Sequence, residues 1–328
     1  MTVMIAKILS IDNGGNVYFD SRIFSCFSLG DAVSLLSVKC RINMIPFYSG
    51  LYCATSGTVL VSRNDKVYLA IRHGNAARAY GLNVGQEVLF NLEKPGYFWE
   101  KENAYSFEEI NEKNFYKDTE SFANFRPLFS GSSDFYRSSS PIDDAYGRSE
   151  AVVHCIEKYS IKTILDISDS NSELAQLLNV TNDKNKSILS TRSLMAIGSD
   201  TGLYSKEFEG TIAEAIRGII SLETPCLIHC RAGKRRTGFI CAILQSLAGF
   251  DIQSIIADYM QSYKNNNGIT RENNSSRYDY LTKDTIGRIL SFINGDNLNN
   301  LAHTTELYLK KIGITNQELA ALKSKICH

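Results

Sequence analysis

The stretch from Pro225 to Gly238, PCLIHCRAGKRRTG, constrains this chain more than any other. After Thr224-Pro225, a short apolar run from Cys226 to Ile228 reads as a buried strand; a basic, glycine-containing loop follows, and a long apolar helix begins at Arg236. A loop so placed wraps backbone N–H groups round one point, and the helix start adds the positive end of a dipole. That point suits a tetrahedral dianion such as phosphate. Cys230 opens the loop and Arg236 closes it, so a thiol is expected beneath the anion and a guanidinium beside it. A thiolate at a helix N-terminus can attack phosphorus. Arg236 would grip two phosphoryl oxygens with its planar fork, which Lys cannot copy. The loop amides of Arg231, Ala232, Gly233, Lys234, Arg235 and Arg236 are expected to bind the phosphoryl oxygens, with Gly233 allowing the turn. Thr237 is placed to offer its hydroxyl to the leaving thiolate, and His229 to bond the backbone behind the loop.

HCRAGKRRTG resembles the signature HCxxGxxR(S/T)G of cysteine-dependent protein tyrosine phosphatases, with every fixed position filled. The resemblance extends to a bacterial branch whose members carry NFRD, YRS and a strand ending DLR. Here those elements stand as Asn124-Phe125-Arg126-Pro127, Tyr136-Arg137-Ser138 and Asp166-Ile167-Ser168. Behind the loop, Ala242 to Gly249, then DIQSIIADYMQSY, and Glu306 to the end through Ile312-Gly313-Ile314-Thr315 resemble the family's later helices. The similarity covers about residues 122 to 328. It implies an α/β phosphatase domain with a mainly parallel sheet flanked by helices. It also implies hydrolysis of phosphate monoesters, phosphotyrosine foremost, through a phosphocysteine intermediate with no metal or cofactor.

The match departs at one position: members of this branch usually read GKDRTG, and this chain has Gly233-Lys234-Arg235-Arg236-Thr237-Gly238. The leaving oxygen needs an acid and the hydrolytic water a base. Asp166, at the strand end, and Asp200, on a segment preceding the catalytic strand, are the two carboxylates weighed for that work. Arg231, Lys234 and Arg235 beside Arg236 make the rim more cationic than one phosphate requires, and Arg126 and Arg137 match family positions near the pocket. A phosphoinositide substrate is therefore an alternative to phosphoprotein. A phosphate-binding pseudophosphatase that recruits partners is the alternative from another class, suggested by the missing loop acid.

The 328 residues are 44% hydrophobic, with 35 Lys plus Arg against 35 Asp plus Glu. No bulk field draws the chain to nucleic acid or an anionic membrane, so any attraction for anions is local. Eight cysteines without C-x-x-C pairs read as reduced intracellular thiols rather than a disulfide frame or zinc site; Cys26, Cys40 and Cys53 are expected in the core. The apolar run Gly238 to Phe250 is too short to span a bilayer, and MTVMIAKILSID lacks a cleavage pattern, so cytoplasmic placement without membrane insertion is expected.

From Val3 to about Lys101 short β-type runs alternate with turn signals. Ile5 to Ile11 and Val17 to Phe24 read as a hairpin round Asp12-Asn13-Gly14-Gly15-Asn16; Ala32 to Ile42, Thr58 to Ser62, Lys66 to Ile71 and Glu87 to Leu92 complete the set. Asn43 to Gly50 and His73-Gly74-Asn75 read as loops. The pattern predicts a separate all-β small barrel or sandwich over 1–118, able to bind another protein, followed by the phosphatase domain over 119–328. Asn265 to Ser276 reads as a polar loop, and Thr315 with Glu318 as a capping box.

Overall fold

The computed structural model of the chain describes residues 3–51, 57–63, 65–72, 74–105, 109–129, 131–198, 203–295 and 298–326, with the side chain of Ile23 outside that set. The chain divides into two compact units, Met1–Phe107 and Glu108–His328.

In the first unit, β1 (Val3–Lys7), β2 (Ser10–Ile11), β3 (Val17–Phe19), β4 (Ala32–Leu36), β5 (Arg41–Tyr48), β6 (Thr58–Arg63), β7 (Lys66–Ile71) and β8 (Glu87–Lys94) form one sheet in the order β1-β8-β4-β5-β6-β7-β3-β2. Two short helices, α1 (Ala76–Tyr80) and α2 (Trp99–Tyr105), accompany it. The sheet's two ends are consecutive in the chain. Between them, Ile8 N–H donates to Gln86 O and Leu9 N–H to Tyr18 O, both at 2.9 Å, so the sheet curls back on itself. Its interior holds Phe19, Phe24, Leu35, Leu60 and Phe90, with the Phe24 and Phe90 rings 4.9 Å apart edge to face.

Three local expectations change here. The span Ala32 to Ile42 is two strands joined at Ser37-Val38-Lys39-Cys40, and Asn43 onward continues the second strand rather than forming a loop. The turn has no Gly or Pro to announce it. Ser37 Oγ instead accepts from Lys39 N–H at 3.2 Å and Cys40 N–H at 3.1 Å. Cys26 is exposed and Cys40 only half-buried, while Cys53 and His73 lie outside the described residues.

In the second unit β9 (Arg126–Pro127), β10 (Phe135–Ser138), β11 (Thr163–Asp166), β12 (Ser193–Ala196) and β13 (Cys226–His229) form a sheet ordered β12-β11-β13-β10-β9. Only the β9–β10 pair is antiparallel. The helices are α3 (Thr119–Phe122), α4 (Ser149–Lys158), α5 (Asn171–Val180), α6 (Asp183–Ser190), α7 (Lys206–Ser221), α8 (Arg235–Leu247) and α9 (Ile252–Asn267). They continue with α10 (Ser275–Thr282), α11 (Arg288–Asn294), α12 (Leu301–Lys311) and α13 (Asn316–Ile326). α7 presents Phe208, Ile212, Ala215, Ile216 and Ile219 to the core at the spacing read from the sequence. α8 is buried all round from Thr237 to Leu247. A Cβ at Gly238 would lie 2.3 Å from the Tyr259 ring, so glycine there lets α8 and α9 touch. The capping box forms: Glu318 N–H donates to Thr315 Oγ1 at 3.2 Å, and Thr315 N–H to Glu318 Oε2 at 2.7 Å.

The division between units falls before the expected 118, because residues 109–118 are tied to the second unit. Ile110 N–H donates to Asn266 O at 2.8 Å, and Ile110 O accepts from Tyr116 Oη at 2.7 Å and Arg148 Nη2 at 2.6 Å. No helix among the described residues is long and apolar enough to cross a membrane.

Candidate functional site

Three neighbouring parallel strands end together. Ser138 on β10 and Asp166 on β11 both stand in register with His229 on β13, and Cys230 follows at once. Ligands of open α/β sheets gather at the carboxyl ends of the strands. The loop leaving β13 enters α8 directly, with Lys234 at the N-cap and no side chain capping the helix. Its first amides therefore lack partners from their own helix.

What shapes this loop is the treatment of its carbonyls. Arg231 O accepts from Ser140 N–H at 3.0 Å. Ala232 O accepts from Asn124 Nδ2 at 3.2 Å, Ser139 Oγ at 3.3 Å and Asn266 Nδ2 at 3.3 Å. Gly233 O accepts from Arg137 Nη2 at 3.0 Å and from Asn124 Nδ2 and Ser262 Oγ at 3.3 Å each. A trans peptide sets its N–H opposite its C=O. Anchoring three successive carbonyls in the scaffold thus turns the following amides, those of Ala232, Gly233 and Lys234, to the opposite side. The Gly233 amide also closes a turn on Cys230 O at 3.3 Å. Gly233 has φ +65°, and a Cβ on it would lie 2.2 Å from Ser138 O, so no other residue fits.

The scaffold is itself ionic. Asp258 on α9 takes Arg126 Nε at 2.6 Å and Arg137 Nη1 at 2.5 Å, and Arg126 Nη2 also reaches Asp258 O at 2.7 Å and Ser262 Oγ at 2.9 Å. Burial alone would raise the Asp258 pKa, but the two guanidiniums outweigh it and hold the carboxyl below its ordinary value. Arg126, expected to bind substrate, therefore spends its donors on Asp258, Ser262 and Asn124, and acts behind the loop rather than in the pocket. Asn265, Asn266 and Asn267, expected in a polar loop, form the last turn of α9 and are buried. Their amides replace solvent with loop partners, which is why an Asn run persists as helix here: Asn265 Nδ2 donates to Asn124 Oδ1 at 3.1 Å, beside the Asn266 bond to Ala232 O.

Cys230 is 7% exposed, at the floor of the loop. Arg236 Nη1 donates to Ser168 O at 3.2 Å, which ties the guanidinium to the segment leaving β11. Thr237 Oγ1 is buried and meets no acceptor. His229 is fully buried, and burial lowers its pKa against the opposing effects of Asp166 and the Cys230 backbone. Neither of its ring nitrogens reaches full hydrogen-bond geometry, and of the expected bond behind the loop only the pull of the Cys230 backbone on the imidazole is present.

Two of the rim cations, Arg231 and Lys234, are countered by acids. Arg231 Nε pairs with Asp143 at 2.5 Å. Lys234 Nζ pairs with Glu109 Oε1 at 2.6 Å, contacts Asn267 Oδ1 at 3.0 Å and lies over the Tyr263 ring; burial draws its pKa down despite Glu109. Asp166 Oδ1 accepts from Ser168 N–H at 2.8 Å, Ser168 Oγ at 2.7 Å and Asp169 N–H at 3.3 Å, while its buried Oδ2 has no partner. Asp200 lies outside the described residues. Sequence reasoning missed Asp169: burial, and then the neighbouring Asp166, push its carboxyl up to about 6. It also missed Glu109 and Asp143, which carry no local motif. Asp258, Ser262, Asn265 and Asn266, by contrast, recur along one face of a helix, a legible polar stripe.

A sequence profile described as the tyrosine phosphatase family matches residues 135–328, and the chain belongs to that family. A triple specificity protein phosphatase, PtpB of Mycobacterium tuberculosis, is 43% identical over 44 residues, which is 13% of this chain and only 16% of that relative's length. Among solved structures, the core catalytic domain of the PP-IP phosphatase SIW14 from S. cerevisiae is 21% identical, with TM-score 0.33, covering 53% of this chain and 95% of that one. P. aeruginosa TpbA in complex with pTyr is 13% identical, with TM-score 0.33, covering 62% of this chain and 98% of that one.

Proposed function

We propose that this chain hydrolyses phosphate monoesters, phosphotyrosine before others, through a phosphocysteine intermediate. The observation that carries the reading is the anchoring of the Arg231, Ala232 and Gly233 carbonyls, which leaves a row of amides facing away from the scaffold above Cys230. Cys230 sulfur, as thiolate, attacks phosphorus, the P–O bond to the leaving group breaks, and a carboxyl gives that oxygen its proton. Water then attacks the phosphocysteine, a carboxylate takes its proton, and sulfur leaves with Thr237 as hydrogen-bond donor. Arg236 and the loop amides hold the three non-bridging oxygens as charge shifts. Asp166 is the carboxylate at the strand end for this work, and beside it Asp169, whose carboxyl burial and then Asp166 push up to about 6, keeps a proton available. Asp200 is a further carboxylate for the same step.

With Arg231 and Lys234 each paired to an acid, a single phosphoryl group suits the rim better than a phosphoinositide. Met1–Phe107 is taken as a separate β domain that recruits a protein partner. The test is an assay of phosphate release from a phosphotyrosine peptide and from a soluble phosphoinositide. Release from the peptide, reduced by several orders of magnitude in Arg236→Lys, supports the reading, since a point charge cannot track two oxygens. Inactivity on the peptide and on a generic aryl phosphate between pH 5 and pH 7 would favour the pseudophosphatase instead.

A further inference from the structure

The loop from Arg231 to Arg236 carries no acid of its own, yet its lysine is not left without a counter-charge. Glu109 comes from outside the segment matched by the family profile, on a stretch fastened to α9 through Ile110 N–H and Asn266 O at 2.8 Å. Its Oε1 holds Lys234 Nζ at 2.6 Å, and its Oε2 is buried without a hydrogen bond. The Lys234 ammonium is thereby drawn to the end of α9, against Asn267 and the Tyr263 ring, the side on which the loop carbonyls are anchored. The side chains of Lys234 and Glu109 are only 13% and 21% exposed. A buried ammonium stripped of its carboxylate is costly to keep in place. Its flexible four-carbon stem then offers it solvent at the rim.

We propose that Glu109 determines substrate specificity: by holding Lys234 against α9 it withholds a cation from the rim and tunes the site to one phosphoryl group over ligands with adjacent phosphates. This rests on the reading of the Cys230 loop as a phosphate site.

The test compares calorimetric binding of orthophosphate and pyrophosphate, with turnover of para-nitrophenyl phosphate measured separately. In Glu109→Gln, pyrophosphate is expected to bind about tenfold tighter, the worth of one new charge-assisted contact at a partly solvated rim, with orthophosphate changed far less. Adding Lys234→Met should erase the gain. Lys234→Met alone should leave the ratio of the two affinities as in the unsubstituted protein, because the lysine is already withheld. Equal strengthening of both anions in Glu109→Gln, or no change in the ratio, overturns the proposal. A selective loss of pyrophosphate in Lys234→Met does so too, and that arm decides the matter where Glu109→Gln fails to fold. Absent turnover with intact anion binding would count against the phosphatase reading and leave the affinity ratio to judge Glu109.

Discussion

Among the described residues, the unit Met1–Phe107 buries three polar or charged side chains, Asp31, Ser34 and Glu102, whereas Glu108–His328 buries 23, among them Arg137, Asn124, Ser139, Ser262 and Asn266. The second unit is about twice as long, so size does not account for the difference. Buried polar groups cost free energy unless each finds a partner. The first unit follows the ordinary solution, an apolar interior of Phe19, Phe24 and Phe90. The second commits five of its buried polar side chains, Asn124, Arg137, Ser139, Ser262 and Asn266, to the backbone carbonyls of Ala232 and Gly233. A fold that accepts that cost does so where backbone must be held in one shape against its own tendency to relax, as an anion cradle requires.

The largest test of this contrast sets two substitutions of similar cost side by side. Phe90→Ala should destabilise the first unit by about 3–5 kcal/mol through a core cavity. Asp258→Asn should destabilise the second by about 3–5 kcal/mol, because two buried guanidiniums lose their carboxylate. Their pH dependence should differ. Asp258 has a lowered pKa in the folded chain, so its contribution is present above the ordinary aspartate pKa and lost as pH falls through the folded value. Thermal unfolding from pH 7 down to pH 3 should therefore show the Asp258→Asn deficit shrinking and the Phe90→Ala deficit holding. A constant Asp258→Asn deficit would deny the ionic scaffold.

Asn266→Ala should cost about 1–3 kcal/mol by leaving Ala232 O short of a donor, and should weaken phosphate binding. Weakened stability with unchanged phosphate affinity would separate the scaffold from the site.

The smallest effect concerns Asp169. Its folded pKa, about 6, lies above the ordinary 3.8, so the folded chain holds that proton longer than the unfolded one. Stability from this group is present below about pH 4 and declines as pH rises toward 6. Relative to the unsubstituted chain, Asp169→Asn should gain stability across that window and then level off; a flat difference would show that burial does not raise the Asp169 pKa.

The sequence made the loop legible where it is built by residues close together in the chain: the strand Cys226–His229 before it, the helix from Arg235 after it, and Gly233 at its turn. It was less informative where contacts are long-range. Arg126 matched a family position near the pocket, but only the fold shows that Asp258 takes its guanidinium. The Asn265 to Asn267 run read as loop by propensity, and tertiary hydrogen bonds keep it helical. The Ser37 turn had no Gly or Pro to mark it, and Glu109 lies 125 positions from the lysine it holds.

The most direct test of the central claim is rapid acid quench of the enzyme during turnover of a phosphotyrosine peptide, with the modified residue located by mass spectrometry. The account predicts a phosphoryl group on Cys230, absent in Cys230→Ser, which should bind vanadate but release no phosphate. Undiminished phosphate release by Cys230→Ser, or steady turnover with the label on any other residue, would contradict it.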